Sequence, residues 1–371
     1  MHARSPATGP SLLLSPTRLG AIELRNRVVM APLTRQRSLQ PGNRPHTLMA
    51  TYYGQRASAG LIIAEGAQIE PRAQGFAWTP GIHSAEQVAG WKQVTDAVHQ
   101  RGGRIVLQLW HAGRISHRSF QPQGQAPLGP SAVKADARCF VETGQPGEGR
   151  LVACDTPQAM TVGDINDVIH SYARAAGQAM EAGFDGVEIQ AGNGFLPDQF
   201  LGSNSNQRTD AYGLSVDGRC RFLLEVLDAV IAAIGGPDRA GLHLSPLGTM
   251  NDIEHAMPEL LFPALLEAVA RRQPAYLHLS GSSAEARNLI RKLRAGYPGA
   301  VIRAGGYDAA SAEQDLRAGA IDAAVFGKPF IANPDLVERI RSGADWSVAD
   351  ERSFYGGGAE GYTTYPNREG A

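Results

Sequence analysis

Ala275-Tyr276-Leu277-His278-Leu279, Val301-Ile302-Arg303 and Ala323-Ala324-Val325-Phe326 are three short apolar runs, separated by the helical patterns 284–295 and 311–318. Strand-length runs divided by amphipathic stretches read as parallel strands, because a parallel pair needs a long crossover and a helix is the usual one. The same rhythm extends both ways. Upstream, strands are expected at Val28-Val29-Met30, Leu61-Ile62-Ile63-Ala64, 104–109, 186–189 and 240–244. Helices are expected near 48–58, 85–99, 163–182, 221–234 and 260–271, and downstream over 334–342. In 163–182, Ile165, Val168, Ile169, Tyr172 and Ala176 share one face at helical spacing. Eight such pairs predict an α/β fold, a single (β/α)8 TIM barrel, over the alternative of an open doubly wound sheet. No shift in composition marks a second domain, so residues 1–371 read as one. The Gly-, Pro- and Gln-rich stretch 116–160 is expected to be a long excursion after strand three, a lid or cap without its own apolar periodicity.

Composition narrows the function. Thirty-five Lys and Arg against 36 Asp and Glu give a net charge of −1, which argues against nucleic acid or a membrane surface as partner. No apolar run approaches the roughly 18 residues that cross a bilayer, and Leu12-Leu13-Leu14 is too short for a signal-peptide core. Three scattered cysteines, Cys139, Cys154 and Cys220, suggest neither a disulfide framework nor a zinc knuckle, and fit a reducing cytoplasm. The expected partner is a small-molecule substrate; a homo-oligomer stays open.

In a TIM barrel the chemistry sits where the strands end. Glycines follow strand seven (Gly305, Gly306) and strand eight (Gly327, with Lys328). Glycine lets backbone N–H groups approach phosphate oxygens, and a following helix adds a positive end. The plain alternative is a pair of ordinary tight turns. Thr34, Gln108, Gln190 and Asn193 offer the alternating donors and acceptors that suit the edge of a planar heterocycle, although isolated amides are commonly structural. Strand six contributes His278 and Ser280 with no clear chemical theme. Gly356-Gly357-Gly358-Ala359-Glu360-Gly361 matches G-x-G-x-x-G, but it follows no strand and opens no helix, so it reads as a loop. His111 and His117 lack the spacing of a metal pair, and no metal is expected. Asp185 and Asp198 flank strand four, but Asp185 precedes it on the stability face, which disfavours a glycosidase dyad.

Several blocks resemble the Old Yellow Enzyme family. They are Asn26-Arg27-Val28-Val29-Met30-Ala31-Pro32-Leu33-Thr34-Arg35, Tyr52-Tyr53-Gly54-Gln55-Arg56-Ala57-Ser58, Gln108-Leu109-Trp110-His111 and Gly183-Phe184-Asp185-Gly186-Val187-Glu188-Ile189. Arg208-Thr209-Asp210-Ala211-Tyr212-Gly213, Phe326-Gly327-Lys328-Pro329-Phe330 and Gly358-Ala359-Glu360-Gly361-Tyr362 continue the match, in order, from about residue 12 to 366. The resemblance implies a TIM barrel that binds FMN, takes electrons from NAD(P)H and reduces the C=C bond of α,β-unsaturated carbonyl compounds. It implies that Pro32, Leu33, Thr34, Gly66 and Gln108 line the flavin ring. Gly305, Gly306, Gly327 and Lys328 would hold the phosphate, and Trp110, Phe354 and Tyr355 would shape the substrate side.

Four positions depart from the family's pattern. The carbonyl-binding pair, normally His with Asn or His, is Gln190 with Asn193. The tyrosine that protonates the α-carbon is Phe195, the arginine near flavin N1 and O2 is His243, and the phosphate arginine is Lys328. A Gln amide still donates a hydrogen bond but never becomes cationic. An ene-reductase with tolerated substitutions is the first reading. A diverted flavoenzyme, an isomerase or desaturase acting on an enone-like substrate, is the second. A non-catalytic flavin-binding protein is the third.

Overall fold

The computed structural model describes residues 11–144, 147–281 and 283–368. Eight parallel strands close into a barrel: β1 (Val28–Met30), β2 (Leu61–Gln68), β3 (Ile105–Trp110), β4 (Gly186–Gln190), β5 (Ala240–Leu244), β6 (Tyr276–Ser280), β7 (Val301–Ala304) and β8 (Ala323–Phe326). Closure is made where Val325 pairs with Val29 and Phe326 with Met30, which removes the open-sheet alternative. The helices that follow are α1 (Thr47–Gln55), α2 (Ala85–His99), α3 (Val162–Glu181), α4 (Val216–Ile234), α5 (Pro258–Ala270), α6 (Ala284–Gly296), α7 (Ala309–Arg317) and α8 (Leu336–Ser342). Among the described residues no helix is long and apolar enough to cross a membrane.

The strands are buried on both faces, which is why they read as continuous apolar runs rather than alternating ones. Outward residues such as Leu107, Ile189, Leu242 and Leu277 pack under the helices, while Val29, Ile63, Val106, Ile302 and Val325 fill the lower barrel. Burying each such side chain contributes about 1.5–3 kcal/mol. The bottom is plugged by an antiparallel hairpin, Thr17–Leu19 with Ile22–Leu24, that the sequence reading did not assign. Gly241 makes room inside: a Cβ there would stand 2.3 Å from the Tyr276 ring. The upper barrel is polar instead. Gln108, Glu188, Gln190, His243 and His278 are all buried there.

Two expectations are corrected. Helix α4 begins at Val216, ahead of the expected 221, capped by the Ser215 side chain on Gly218 N. Gly218 hides the signal, yet it is required, since a Cβ would stand 2.1 Å from the Gly213 carbonyl oxygen. The excursion also has its own periodicity. Arg138–Glu142 and Gly149–Ala153 form an antiparallel hairpin, and Cys139 and Val141 join Ile115, Ala135 and Cys154 in a small separate core.

Candidate active site

A cavity of about 600 Å³ opens at the C-terminal mouth of the barrel. Its wall takes Pro32 and Thr34 from the segment after β1, Gly66 from β2, Gln108 and Trp110 from β3, Gln190 from β4, and Asn193, Phe195 and Tyr355 from loops. Nine of the sequence-predicted residues therefore meet in one place. Leu33, His243, Phe354, Gly305, Gly306, Gly327 and Lys328 are not in this wall. Gln36, Phe76, Trp78, Phe140, Leu151, Met250 and Asn251 complete it and were missed. No charged side chain lines the cavity among the described residues.

A chain of hydrogen bonds beneath the cavity fixes the polarity of both glutamines. Gln190 Oε1 accepts from Gly192 N at 3.1 Å and meets His243 Nδ1 at 2.5 Å. His243 Nδ1 must therefore carry the ring proton, and Nε2, 3.0 Å from Ser280 Oγ, accepts from that hydroxyl. Burial, assisted by the neighbouring His278, holds the His243 pKa well below its usual value, so the ring is neutral. With its oxygen occupied twice, Gln190 turns Nε2 towards the cavity and towards Gln108 Oε1, 3.5 Å away. Gln108 in turn donates from Nε2 to Glu188 Oε1 at 2.8 Å, and Glu188 Oε2 meets His278 Nδ1 at 3.1 Å. Gln108 thus presents an oxygen and Gln190 an N–H. Strand six, read as chemically silent, supplies both His278 and Ser280 to this network.

The loop after β4 is shaped for the same purpose. Asn193 adopts a left-handed backbone, φ 58°, with its N–H on Ser245 Oγ at 2.7 Å and its carbonyl accepting from Asn251 Nδ2 at 2.8 Å. These bonds hold a conformation that L-residues rarely adopt and leave the Asn193 side chain to line the cavity. Phe195 stands edge-on to Trp110, with ring centroids 5.3 Å apart, and Phe76 stacks on the same indole at 5.9 Å. Trp110 Nε1 is buried without a partner, an N–H left over beside the cavity.

Two strands of chain roof the site. In the excursion hairpin, Phe140 lies directly opposite Leu151, and both face the cavity. The C-terminal segment is tied down by arginines: Arg35 Nε donates to the Phe354 carbonyl at 2.9 Å, and Arg37 Nη2 to that of Ser353 at 3.0 Å. Tyr355 follows directly and reaches the mouth, 63% exposed. Phe354 instead turns its ring towards Lys328, whose Nζ stands 5.5 Å from the ring centroid.

Beside the cavity, β7 and β8 end in an open cradle. Gly306, φ 74°, has free space where a Cβ would be, and a Cβ on Gly327 would make only ordinary contacts with Leu33 at 3.6 Å and Ala31 at 3.8 Å. Arg303 lies under Gly305, with Nη1 on Asp315 at 3.1 Å and Nε buried without a partner. Lys328 is exposed and pairs with Glu351 Oε1 at 2.7 Å. Glycine backbone with cations beside it accepts a phosphate, and the neutral, amide-edged cavity accepts a flat heterocycle. The residues present fit a flavin mononucleotide.

Residues 12–346 match the NADH:flavin oxidoreductase / NADH oxidase family. The chain belongs to that family. This family member is 38% identical over 376 residues to 12-oxophytodienoate reductase 1 of Oryza sativa subsp. japonica, covering 98% of this chain and 95% of that protein. It is 40% identical over 358 residues to a probable flavin mononucleotide-dependent alkene reductase of Leishmania infantum, covering 96% and 97%. A solved structure of morphinone reductase in complex with tetrahydroNAD matches with a TM-score of 0.92 at 46% identity, covering 98% of this chain and 99% of that one. An Old Yellow Enzyme homologue from Zymomonas mobilis matches with a TM-score of 0.90 at 36% identity, covering 96% and 99%. The protein is thus an FMN-dependent oxidoreductase of the Old Yellow Enzyme type, with a reduced nicotinamide nucleotide as electron donor.

Of the residues missed, Gln36 lies one position past the opening motif, and Phe140 sits in the alternating run Arg138-Cys139-Phe140-Val141-Glu142. Either signal was readable. Met250 and Asn251 sit in a loop with no local pattern, and only the fold brings them here.

Proposed function

We propose that this flavoenzyme reduces the activated C=C bond of an α,β-unsaturated carbonyl compound at the expense of NAD(P)H. The observation that carries the reading is the fixed polarity of Gln190, whose oxygen is used by His243 and Gly192, so that its N–H faces the cavity. Relatives named for the reduction of 12-oxophytodienoate and of alkenes support the substrate class.

Bound FMN supplies the hydride chemistry. Pro32, Leu33, Thr34, Gly66, Gln108 and His243 would hold its ring, and His243, neutral, keeps Gln190 oriented. Gly305, Gly306, Gly327 and Lys328 would hold its phosphate. Gln190 Nε2 and the Asn193 amide donate to the substrate's carbonyl oxygen, where negative charge grows during hydride arrival at the β-carbon. Trp110 and Tyr355 confine the substrate, and Phe354 backs the loop that carries Tyr355. Phe195 offers no proton, so the α-carbon takes its proton from water at the exposed mouth.

Phe195 also favours a second reading, an isomerase or desaturase, in which no proton is delivered to the α-carbon. Anaerobic addition of NADPH bleaches the purified yellow protein under both readings. Adding 2-cyclohexenone restores the colour with formation of cyclohexanone under the first. Bleaching without enone turnover contradicts the first and favours the second.

A further inference from the structure

We propose that Cys139 and Cys154 are a peroxide-responsive dithiol whose disulfide staples the base of the hairpin that roofs the cavity. The proposal does not rest on the ene-reductase reading. Both residues are free thiols, buried together in the small core of the excursion. Cys139 faces Val152 across the ladder, and Cys154 N donates to the Ala137 carbonyl at 3.0 Å. The two cysteines are therefore diagonal neighbours on one face of the antiparallel pair, buried in the same small core. Diagonal neighbours stand about 7–8 Å apart at Cα, and a disulfide spans about 4.4–6.8 Å. Formation of the bond therefore requires the base of the hairpin to draw in by about 1 Å at Cα.

The surroundings make the two thiols unequal. Cys154 is held below the usual thiol range, first by the hydrogen bond from Cys139 and then by the charges of Lys134 and Arg114, against burial and Asp155. Cys139, the donor, is pushed up by that same bond and by burial. Cys154 is thus the nucleophile and Cys139 the resolving thiol.

The co-reactant is a hydroperoxide. The Cys154 thiolate attacks one peroxide oxygen of H2O2. The O–O bond breaks, the sulfur becomes a sulfenic acid, and the departing hydroxide takes up a proton to leave as water. Cys139 sulfur then attacks Cys154 sulfur. The S–S bond forms, the S–O bond breaks, and the hydroxyl leaves with the Cys139 proton as a second water. Two thiols lose two electrons and one peroxide gains them.

The consequence follows from the alternation of the strand. One face of the hairpin carries Cys139 and Val141; the other presents Phe140 and Leu151 to the cavity. A covalent tie behind the first face restrains the second. Cys220 is the internal control: it lies in α4, buried, with its thiol pushed up to about 12 by burial and by Asp217.

The test uses the full-length holoenzyme, titrated with H2O2, denatured in iodoacetamide, digested and analysed by mass spectrometry. The expected product is a Cys139–Cys154 linked peptide pair, two hydrogens lighter than the thiols and reversed by dithiothreitol, with Cys220 alkylated. Hydrogen exchange of the amides in Arg138–Glu142 and Gly149–Ala153 should slow at least roughly tenfold after oxidation. Cys139→Ser should leave Cys154 over-oxidised or mixed-disulfide bonded and abolish the slowing. Recovery of Cys139 and Cys154 as alkylated thiols, linkage of either to Cys220 or to a second copy, or sulfinic acid without linkage overturns the proposal. A linked pair with unchanged hairpin exchange overturns the staple.

Discussion

His243 Nδ1 lies 2.5 Å from Gln190 Oε1, the oxygen that also accepts from Gly192 N, and together the two contacts fix which end of the Gln190 amide is left to donate. Burial keeps the ring neutral by depressing its pKa well below the ordinary histidine value. A depressed pKa means the neutral form persists on lowering the pH through the usual range, so no charge develops beneath Gln190 there. The rate of enone reduction by pre-reduced enzyme should be flat between pH 6 and 8. A sigmoid near pH 6.5 that vanishes in His243→Gln would show the ring titrating and the neutral-ring assignment wrong.

Glu65 is fully buried, accepting from Arg35 N at 3.2 Å and from Tyr53 at 3.2 Å, and burial raises its pKa from 4.5 to about 7. Between those values the folded state keeps a proton that the unfolded state releases, so folding stability falls as pH rises from 4.5 to 7. The full effect is about 3 kcal/mol. Glu65→Gln, which removes the titration, should show a smaller fall in urea midpoint from pH 5 to pH 7 than wild type. Parallel pH profiles would refute the assignment.

Lys328 and Glu351 form an exposed pair beside the glycine cradle. Such pairs add little to stability, so Lys328→Ala should leave the apoprotein's melting temperature nearly unchanged. It should weaken FMN binding about tenfold by loss of a phosphate contact, and leave riboflavin binding unaltered. Glu351→Gln frees the ammonium and should tighten FMN binding. Equal losses for FMN and riboflavin would place Lys328 away from the phosphate.

Phe195 packs edge-on to Trp110 where a proton donor is expected. Phe195→Tyr combined with Gln190→His should raise the rate of enone reduction by pre-reduced enzyme about tenfold or more, the scale of a well-placed general acid. No gain counts against both positions being at the reacting atoms.

The barrel was legible because strands buried on both faces are continuous apolar runs, and because glycines and amides gather at strand ends. Gln108, Gln190 and Asn193 were found that way, and Gly66 through the family resemblance. The network under them was not: whether His278 and Ser280 face the barrel axis depends on register, which pairs His243 with His278 and is set by closure rather than by local sequence. The hairpin over the cavity was passed over among its Gly- and Pro-rich flanks, although Arg138–Glu142 alternates in the sequence. Lys328 shows the opposite failure, since its position was foreseen and its engagement with Glu351 was not.

The most direct test of the account is the oxidative half-reaction of Gln190→Met, a substitution that keeps side-chain length and removes the N–H. The pre-reduced variant, mixed anaerobically with 2-cyclohexenone, should reoxidise about 100-fold more slowly than wild type, the scale of one lost donor to a developing oxyanion. Its reduction by NADPH should stay within about threefold of wild type. Reoxidation at the wild-type rate would contradict the central claim that the Gln190 amide carries the carbonyl.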